Sequence, residues 1–376
     1  MNDSLAKPLA KPWAEARRLL VMRLDNIGDV VMTAPVLRAL KENLPEASIT
    51  LMASPGGSKA TTLLPWVDEV LTWRVLWQDL GSLPFDPARE WELVDTLRAG
   101  SYDAAVILTS FKQTPHAAAY ACYLAGIPLR LGESKEWGGG VLTHEAPPSP
   151  EELHQVERNL HLIEAVGFHI TDRSLSIRVP HQARESTAGL LEARGVPANT
   201  PYLLLNPWAS AQARTYPVDR FARAAHGLSI ETGWPVVVTG TEADRERGGG
   251  LLTILGNRAV DLVGATSLPE LAVLVEGARL VLTNNTSTMH LLDALRTPGV
   301  VLFSGTELEE QWRPRHTPHR LLRRETCCSP CYAFTCPYNL ECLDIPPEEV
   351  IQAGLSLLSE VDGQYAAATR EEESQA

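Results

Sequence analysis

From residue 17 onward, short apolar runs alternate with stretches of helical periodicity, and that alternation restricts the chain to parallel sheets wrapped by helices. Leu19, Leu20, Val21 and Met22 read as a buried strand, followed by ASITLMAS (47–54), DEVLTWRV (68–75) and YDAAVILTS (102–110). A second set comprises PYLLLNP (201–207), WPVVVTG (234–240), AVDLVG (259–264), ARLVLTN (278–284) and GVVLFSG (299–305). Between the sets lie Glu145-APPSPEELHQ and a polar, helix-rich stretch to about Asn199, which places a domain boundary near 180–198. Each half carries a strand–turn–helix unit, at 18–43 and 279–296, as two similar α/β domains would. The expected domains are 17–185 and 196–346, followed by a helix at 347–361, with flexible tails at 1–16 and 362–376. Trp73–Gly100, with Trp73, Trp77, Trp91, Pro84 and Pro87, reads as an insertion whose aromatics either pack or stack on a sugar or lipid.

At 376 residues and 44% hydrophobic content the chain is long enough for two cores. A net charge of −13 argues against a broad nucleic-acid footprint, so no nucleic-acid partner is expected. No apolar run reaches the ~18–20 residues of a membrane span, and LAKPLAKPWAEARR is broken by Pro and charge, unlike a signal peptide. The expectation is a soluble, cytoplasmic protein.

Two turns carry chemistry. In the first, Asp25, Asn26, Gly28 and Asp29 separate a strand from a helix bearing Val30, Val31, Ala34, Leu37 and Leu40. Asp29 stands at the helix start, where a carboxylate either caps free N–H groups or faces a cleft as a base. In the second, Thr283-Asn284-Asn285-Thr286-Ser287-Thr288 leads into a helix with Met289, His290, Leu291, Leu292 and Leu295. Its first-turn N–H groups suit a phosphate, though Ser, Thr and Asn also serve as plain caps. Upstream, the 205–217 loop offers Ser210, Gln212 and Arg214, and the Arg fork matches a diphosphate or is simply exposed. Neither turn has the dinucleotide or P-loop glycine pattern. Five of six cysteines crowd into 327–342; Cys328, Cys331, Cys336 and Cys342 either surround a zinc or pack and pair in a compact loop, and packing without metal is the expectation.

The first turn resembles the opening motif of glycosyltransferase family 9, the ADP-heptose:lipopolysaccharide heptosyltransferases. The 204–217 loop is similar to that family's Asn-Pro-Gly-Ala-Ser loop, and 283–290 to its Asn-Asp-Thr-Gly-Pro-Met-His turn. Ala125-GIPLRLG, His154-QVERNLHLIEAVG, Gly264-ATSLPELAVLVEGARL and Trp312-x-Pro314 match in family order, so the resemblance runs from about 18 to 355. Departures are Asn285 for the usual Asp, Ser287 for Gly, Thr288 for Pro and Trp208 for Gly.

The resemblance implies a GT-B architecture, two Rossmann-like domains facing a cleft, with the 347–361 helix crossing back toward the first. It implies inverting, metal-independent transfer, with no cofactor, from a nucleotide-diphosphate sugar (ADP-heptose by family default) to a saccharide or glycolipid acceptor of lipopolysaccharide or a related surface glycan. Asp29 would be the base. Ser210, Arg214, Asn285, Thr286, Ser287, Thr288, Met289 and His290 would meet the donor, and Asp25, Asn26, Lys112 and Arg130 the acceptor. The acceptor would also be the route to peripheral association with the inner membrane. The alternatives are a non-catalytic sugar-nucleotide-binding protein, which the loss of a carboxylate at 285 makes conceivable, and a sugar-nucleotide epimerase of the same architecture.

Overall fold

The computed structural model describes residues 9–375 and divides after Arg178 into two compact units. The first holds β1 (Arg18–Arg23), β2 (Ser48–Ala53), β3 (Glu69–Thr72), β4 (Ala104–Ile107), β5 (Leu129–Glu133) and β6 (His144–Ala146). The second holds β7 (Leu203–Asn206), β8 (Val236–Gly240), β9 (Ala259–Val263), β10 (Leu280–Asn284), β11 (Gly299–Leu302) and β12 (His319–Leu322). The orders are β3-β2-β1-β4-β5-β6 and β12-β11-β10-β7-β8-β9, and every pairing is parallel. Both are the doubly wound Rossmann order, in which the connection reverses beside the first strand. The two switch points therefore lie between β1 and β4 and between β7 and β10, at the carboxyl ends of the strands.

Strands covered on both faces need apolar side chains at every position. Leu19, Leu20, Val21 and Met22 in β1, and Leu203, Leu204 and Leu205 in β7, have no exposed surface. Each such side chain contributes roughly 1.5–3 kcal/mol by leaving water. β6 spans three residues and β12 is half-exposed, too short or too mixed for a periodicity, so neither stood out in the sequence.

The expected insertion at 73–100 is largely the ordinary crossover from β3 to β4. Its helix, Pro87–Ala99, starts with Asp86 accepting from the Ala88 N–H at 3.1 Å. Leu93, Val94 and Leu97 enter the first unit's core, with Trp73 and Trp77 at its margin and Trp91 exposed. The units divide at 178/179, just ahead of the 180–198 stretch expected to hold the boundary. The helix His181–Glu192 belongs to the second unit because it is fastened to the helix Leu268–Gly277 by Arg184–Glu276 and by Ser186 Oγ donating to Glu270 at 2.6 Å.

The expected tails are also corrected where they are described. Residues 11–14 form a helical turn, and Trp13 is fully buried, edge-on to His144 at 5.5 Å and Phe168 at 6.1 Å. A lone aromatic in a Pro/Lys-rich segment shows no periodicity even when it completes a core. At the other end the helix Pro347–Gln375 continues beyond 361. Residues 1–8 and 376 lie outside the described residues. Val350, Leu357, Leu358 and Val361 pack into the second unit's core, where the missing side chain of Gly354 leaves room for Leu228 and Leu280.

Candidate active site

β1 delivers Arg23 into the switch point of the first unit. The guanidinium has no exposed surface, yet it is surrounded by polar groups. Nη2 donates to Asp29 Oδ1 at 2.9 Å and to Ser110 Oγ at 2.8 Å, while Nε lies 3.1 Å from Asp25 Oδ2. From the far side of the switch point, past the end of β4, Gln113 Nε2 donates to Asp25 Oδ1 at 2.5 Å and receives the Ser110 N–H on Oε1 at 2.9 Å. Five side chains from two strand ends thus form one network around a buried cation.

Asp29 is held on both oxygens. Oδ2 accepts the Asn26 N–H at 3.2 Å, closing the start of the helix Ile27–Val31, and Oδ1 is paired with Arg23. Its side chain keeps 17% of its surface exposed. Asp25 differs. Burial raises its pKa above the ordinary value, Arg23 opposes that, and the nearby Asp29 charge adds to it. Asp25 is thus tied into the network by Arg23 and Gln113, with 12% of its side-chain surface exposed.

The Asp25 turn is braced from behind. Ser54 Oγ donates to the Asp25 carbonyl at 2.6 Å and accepts the Gly57 N–H at 2.9 Å, and a Cβ on Gly57 would stand 2.6 Å from that same carbonyl. Gly57→Ala is expected to destabilise the protein by about 1–3 kcal/mol through overpacking, measured by denaturant unfolding. An unchanged midpoint would show that the turn yields freely.

Lys112 is exposed in the turn between Ser110 and Gln113. Arg130 is 7% exposed and donates to the carbonyls of Val141 at 2.6 Å, Pro128 at 3.3 Å and Ile127, with its guanidinium 5.4 Å from the Tyr123 ring. The acceptor role expected of Arg130 is corrected: its donors hold the β5–β6 connection. The 154–167 motif likewise supports the site from below. Arg158 Nη1 and Gln155 Nε2 both donate to the Thr109 carbonyl, at 2.9 and 3.1 Å, and Arg158 Nε pairs with Glu133 at 3.1 Å.

In the second unit Asn284, the last residue of β10, ties the two switch-point loops together. Its Oδ1 accepts the Tyr216 N–H at 3.0 Å and its Nδ2 donates to the Pro207 carbonyl at 2.8 Å. The helix Ser287–Leu295 starts at Thr286, whose side chain makes no capping hydrogen bond, and Ser287 is half-buried beside it. Thr288 and Met289 are 1% exposed, so the hydroxyl contact with the donor expected of Thr288 is corrected to core packing, and the Met289 side chain packs likewise. They sit on the inward face of the first helical turn. His290 is 8% exposed and tilted against Trp312 at 6.4 Å. Ser210 is exposed in the β7 loop. Trp208, where the resemblance has Gly, is buried: Nε1 donates to the Thr239 carbonyl at 3.0 Å and the ring fills the space above Gly240.

Arg214 and Asn285 converge on a residue absent from the sequence reading. Arg214 Nη2 donates to Glu307 Oε1 at 2.8 Å, and Asn285 Nδ2 to Glu307 Oε2 at 3.4 Å. Asn285 Oδ1 in turn accepts the Ser304 N–H at 3.3 Å. Arg23, Ser110, Gln113 and Glu307 were all missed. The one local signal was a basic residue closing a strand of four apolar ones.

The cysteine-bearing segment binds these loops to each other through its backbone. The Cys331 and Tyr332 N–H groups donate to Gly305 and Thr306 carbonyls at 3.0 and 2.9 Å. Ala213 N–H donates to the Phe334 carbonyl at 3.0 Å, and Cys336 N–H to Gln212 Oε1 at 2.9 Å. The thiols are free, and Cys342 is raised in pKa chiefly by burial. Among the described residues no group of three or more His, Cys, Asp or Glu is arranged to hold a metal ion. Nor, among them, is any helix long and apolar enough to cross a membrane.

The family model for glycosyltransferase family 9 (heptosyltransferase) matches residues 90–341. The chain belongs to glycosyltransferase family 9. Among its relatives, lipopolysaccharide heptosyltransferase 3 of Escherichia coli K12 is 29% identical over 307 residues, 76% of this chain and 82% of the relative. Among solved structures, E. coli ADP-heptose LPS heptosyltransferase II superposes with a TM-score of 0.71 at 23% identity, covering 92% of this chain and 99% of that one. A family 9 glycosyltransferase from Veillonella parvula gives 0.74 at 20% identity, covering 94% and 99%. At those identities the structures speak to the fold, and this family 9 chain has the α/β, GT-B fold of paired Rossmann-order units.

Proposed function

We propose that this chain transfers a sugar, heptose as in the relatives' names, from an ADP-linked donor to a saccharide acceptor of lipopolysaccharide, with inversion at the anomeric carbon. The observation that carries the reading is Asp29: a carboxylate at the first unit's switch point, fixed on both oxygens yet 17% exposed. Asp29 takes the proton of the acceptor hydroxyl as that oxygen attacks. Asn26 in the same loop, and Lys112 in the loop after β4, orient an anionic or hydroxylated acceptor. In the second unit Arg214 and the N-terminal turn at Thr286 and Ser287 stabilise the departing diphosphate, with Ser210, Asn285 and His290 around it. No Asp-x-Asp pair occurs in the sequence, which leaves that charge to protein groups. The relatives act on lipopolysaccharide by name, and this chain is read as meeting its acceptor at the membrane surface from the cytoplasmic side.

The donor half is tested by calorimetry. Arg214→Ala is expected to weaken ADP binding about tenfold to a hundredfold, the worth of one charge-assisted hydrogen bond, and to leave adenosine binding unchanged. Equal ADP affinity in wild type and variant would remove Arg214 from the site.

A further inference from the structure

The cation read above as the diphosphate's partner is already occupied. Arg214 and Asn285 stand on loops after different strands, β7 and β10, and Glu307 reaches both from the loop after β11, one carboxylate oxygen to each. The geometry is that of an anion bound between a guanidinium and an amide. Arg214 Nε, buried beside it, makes no hydrogen bond. Arg214 and Glu307 side chains keep 27% and 16% of their surface exposed, so the pair lies at the edge of solvent where a ligand can enter.

The three loops are held so that this pairing recurs. The Cys331 and Tyr332 N–H groups fix Gly305 and Thr306, immediately before Glu307, while the Phe334 carbonyl and the Cys336 N–H fix Ala213 and Gln212, immediately before Arg214. One segment thus sets the spacing of both members. A carboxylate placed this way has a definite electrostatic consequence. It neutralises Arg214 when the site is empty, and it repels a diphosphate that enters.

We propose that Glu307 is an internal competitor for the diphosphate, an affinity-setting residue that exchanges with the donor's phosphates on Arg214 and Asn285 and re-forms the pair as the nucleoside diphosphate leaves. The proposal rests on the donor-site reading of Arg214. It predicts that the protein discriminates against retained product: the carboxylate weakens the diphosphate contact and leaves the nucleoside contact alone.

The test uses ADP and adenosine as probes in calorimetry with the full chain. Glu307→Gln keeps the shape and removes the charge, and is expected to bind ADP about tenfold more tightly with adenosine unchanged. Glu307→Ala should tighten ADP in the same direction, which guards against an effect peculiar to the amide. In an Arg214→Ala background the gain from Glu307→Gln should shrink, because the competition is for that guanidinium. If Arg214→Ala weakens ADP but Glu307→Gln leaves it equal or weaker, Glu307 supports the site instead of competing for it and the proposal falls alone. If Arg214→Ala leaves ADP binding unchanged, the donor-site reading falls and takes the proposal with it.

Discussion

Asp29→Asn is expected to lower sugar transfer by about 10²–10⁴-fold, the usual worth of a general base, with donor affinity little changed. Asn26 is the N-cap and Asp29 the third helical residue, and the amide oxygen of an Asn at 29 can still accept the Asn26 N–H that Asp29 accepts at 3.2 Å. Stability is not untouched, because the same carboxylate pairs at 2.9 Å with a guanidinium that has no exposed surface. A loss of about 1–3 kcal/mol accompanies the change, with Asp25 and Ser110 still holding Arg23. Turnover under saturating donor, read beside an unfolding curve, separates the roles. A folded Asp29→Asn variant that transfers at the wild-type rate would make Asp29 a cap and an ion-pair partner only.

Arg23→Leu is expected to cost about 3–5 kcal/mol of stability, because it leaves two carboxylates beside each other without the buried charge that compensates them. Arg23→Lys should recover part of the loss by restoring a cation with fewer donors. The deficit should depend on pH in a set direction. Asp25 is raised above its ordinary 3.8, by burial first and by Asp29 as well, against the opposing pull of Arg23. Above 3.8 and up to its folded value the native state holds the proton that the unfolded chain has lost, so stability is fullest at low pH and falls as pH rises through that window. Removing Arg23 deletes the opposing influence and extends the window upward. Denaturant midpoints should show the Arg23→Leu deficit growing as pH rises from 3.8. A deficit that does not change with pH would mean that Asp25 does not depend on Arg23 for its charge.

The sequence made the sheets legible because buried parallel strands are written in consecutive apolar residues, as in Leu19–Met22 and Leu203–Leu205. It also made Asp29 legible, since a Gly-Asp turn between strand and helix is a local pattern. Arg23 was hidden because one of its partners, Ser110, is 87 positions away. A basic residue at a strand end then reads as a solvated tip. Glu307 was hidden likewise: it opens the run Glu307-Leu-Glu-Glu310, which reads as an exposed acidic turn, and its partner Arg214 is 93 positions distant. Arg130 failed the other way. It lies within β5, and the carbonyls that hold it are local, but no spacing rule announces backbone acceptors. Thr288 and Met289 were read as donor contacts from their place in the turn, whereas the first turn of the helix points them inward.

The proposed transfer by this family 9 chain is a single displacement assisted by Asp29. The direct measurement is transfer from ADP-heptose to a lipopolysaccharide acceptor truncated before its heptose, following ADP release and reading the new linkage by NMR. The expected result is ADP released in step with sugar appearing on the acceptor, and an anomeric configuration opposite to the donor's. Retained configuration, or ADP release without sugar on the acceptor, would contradict it.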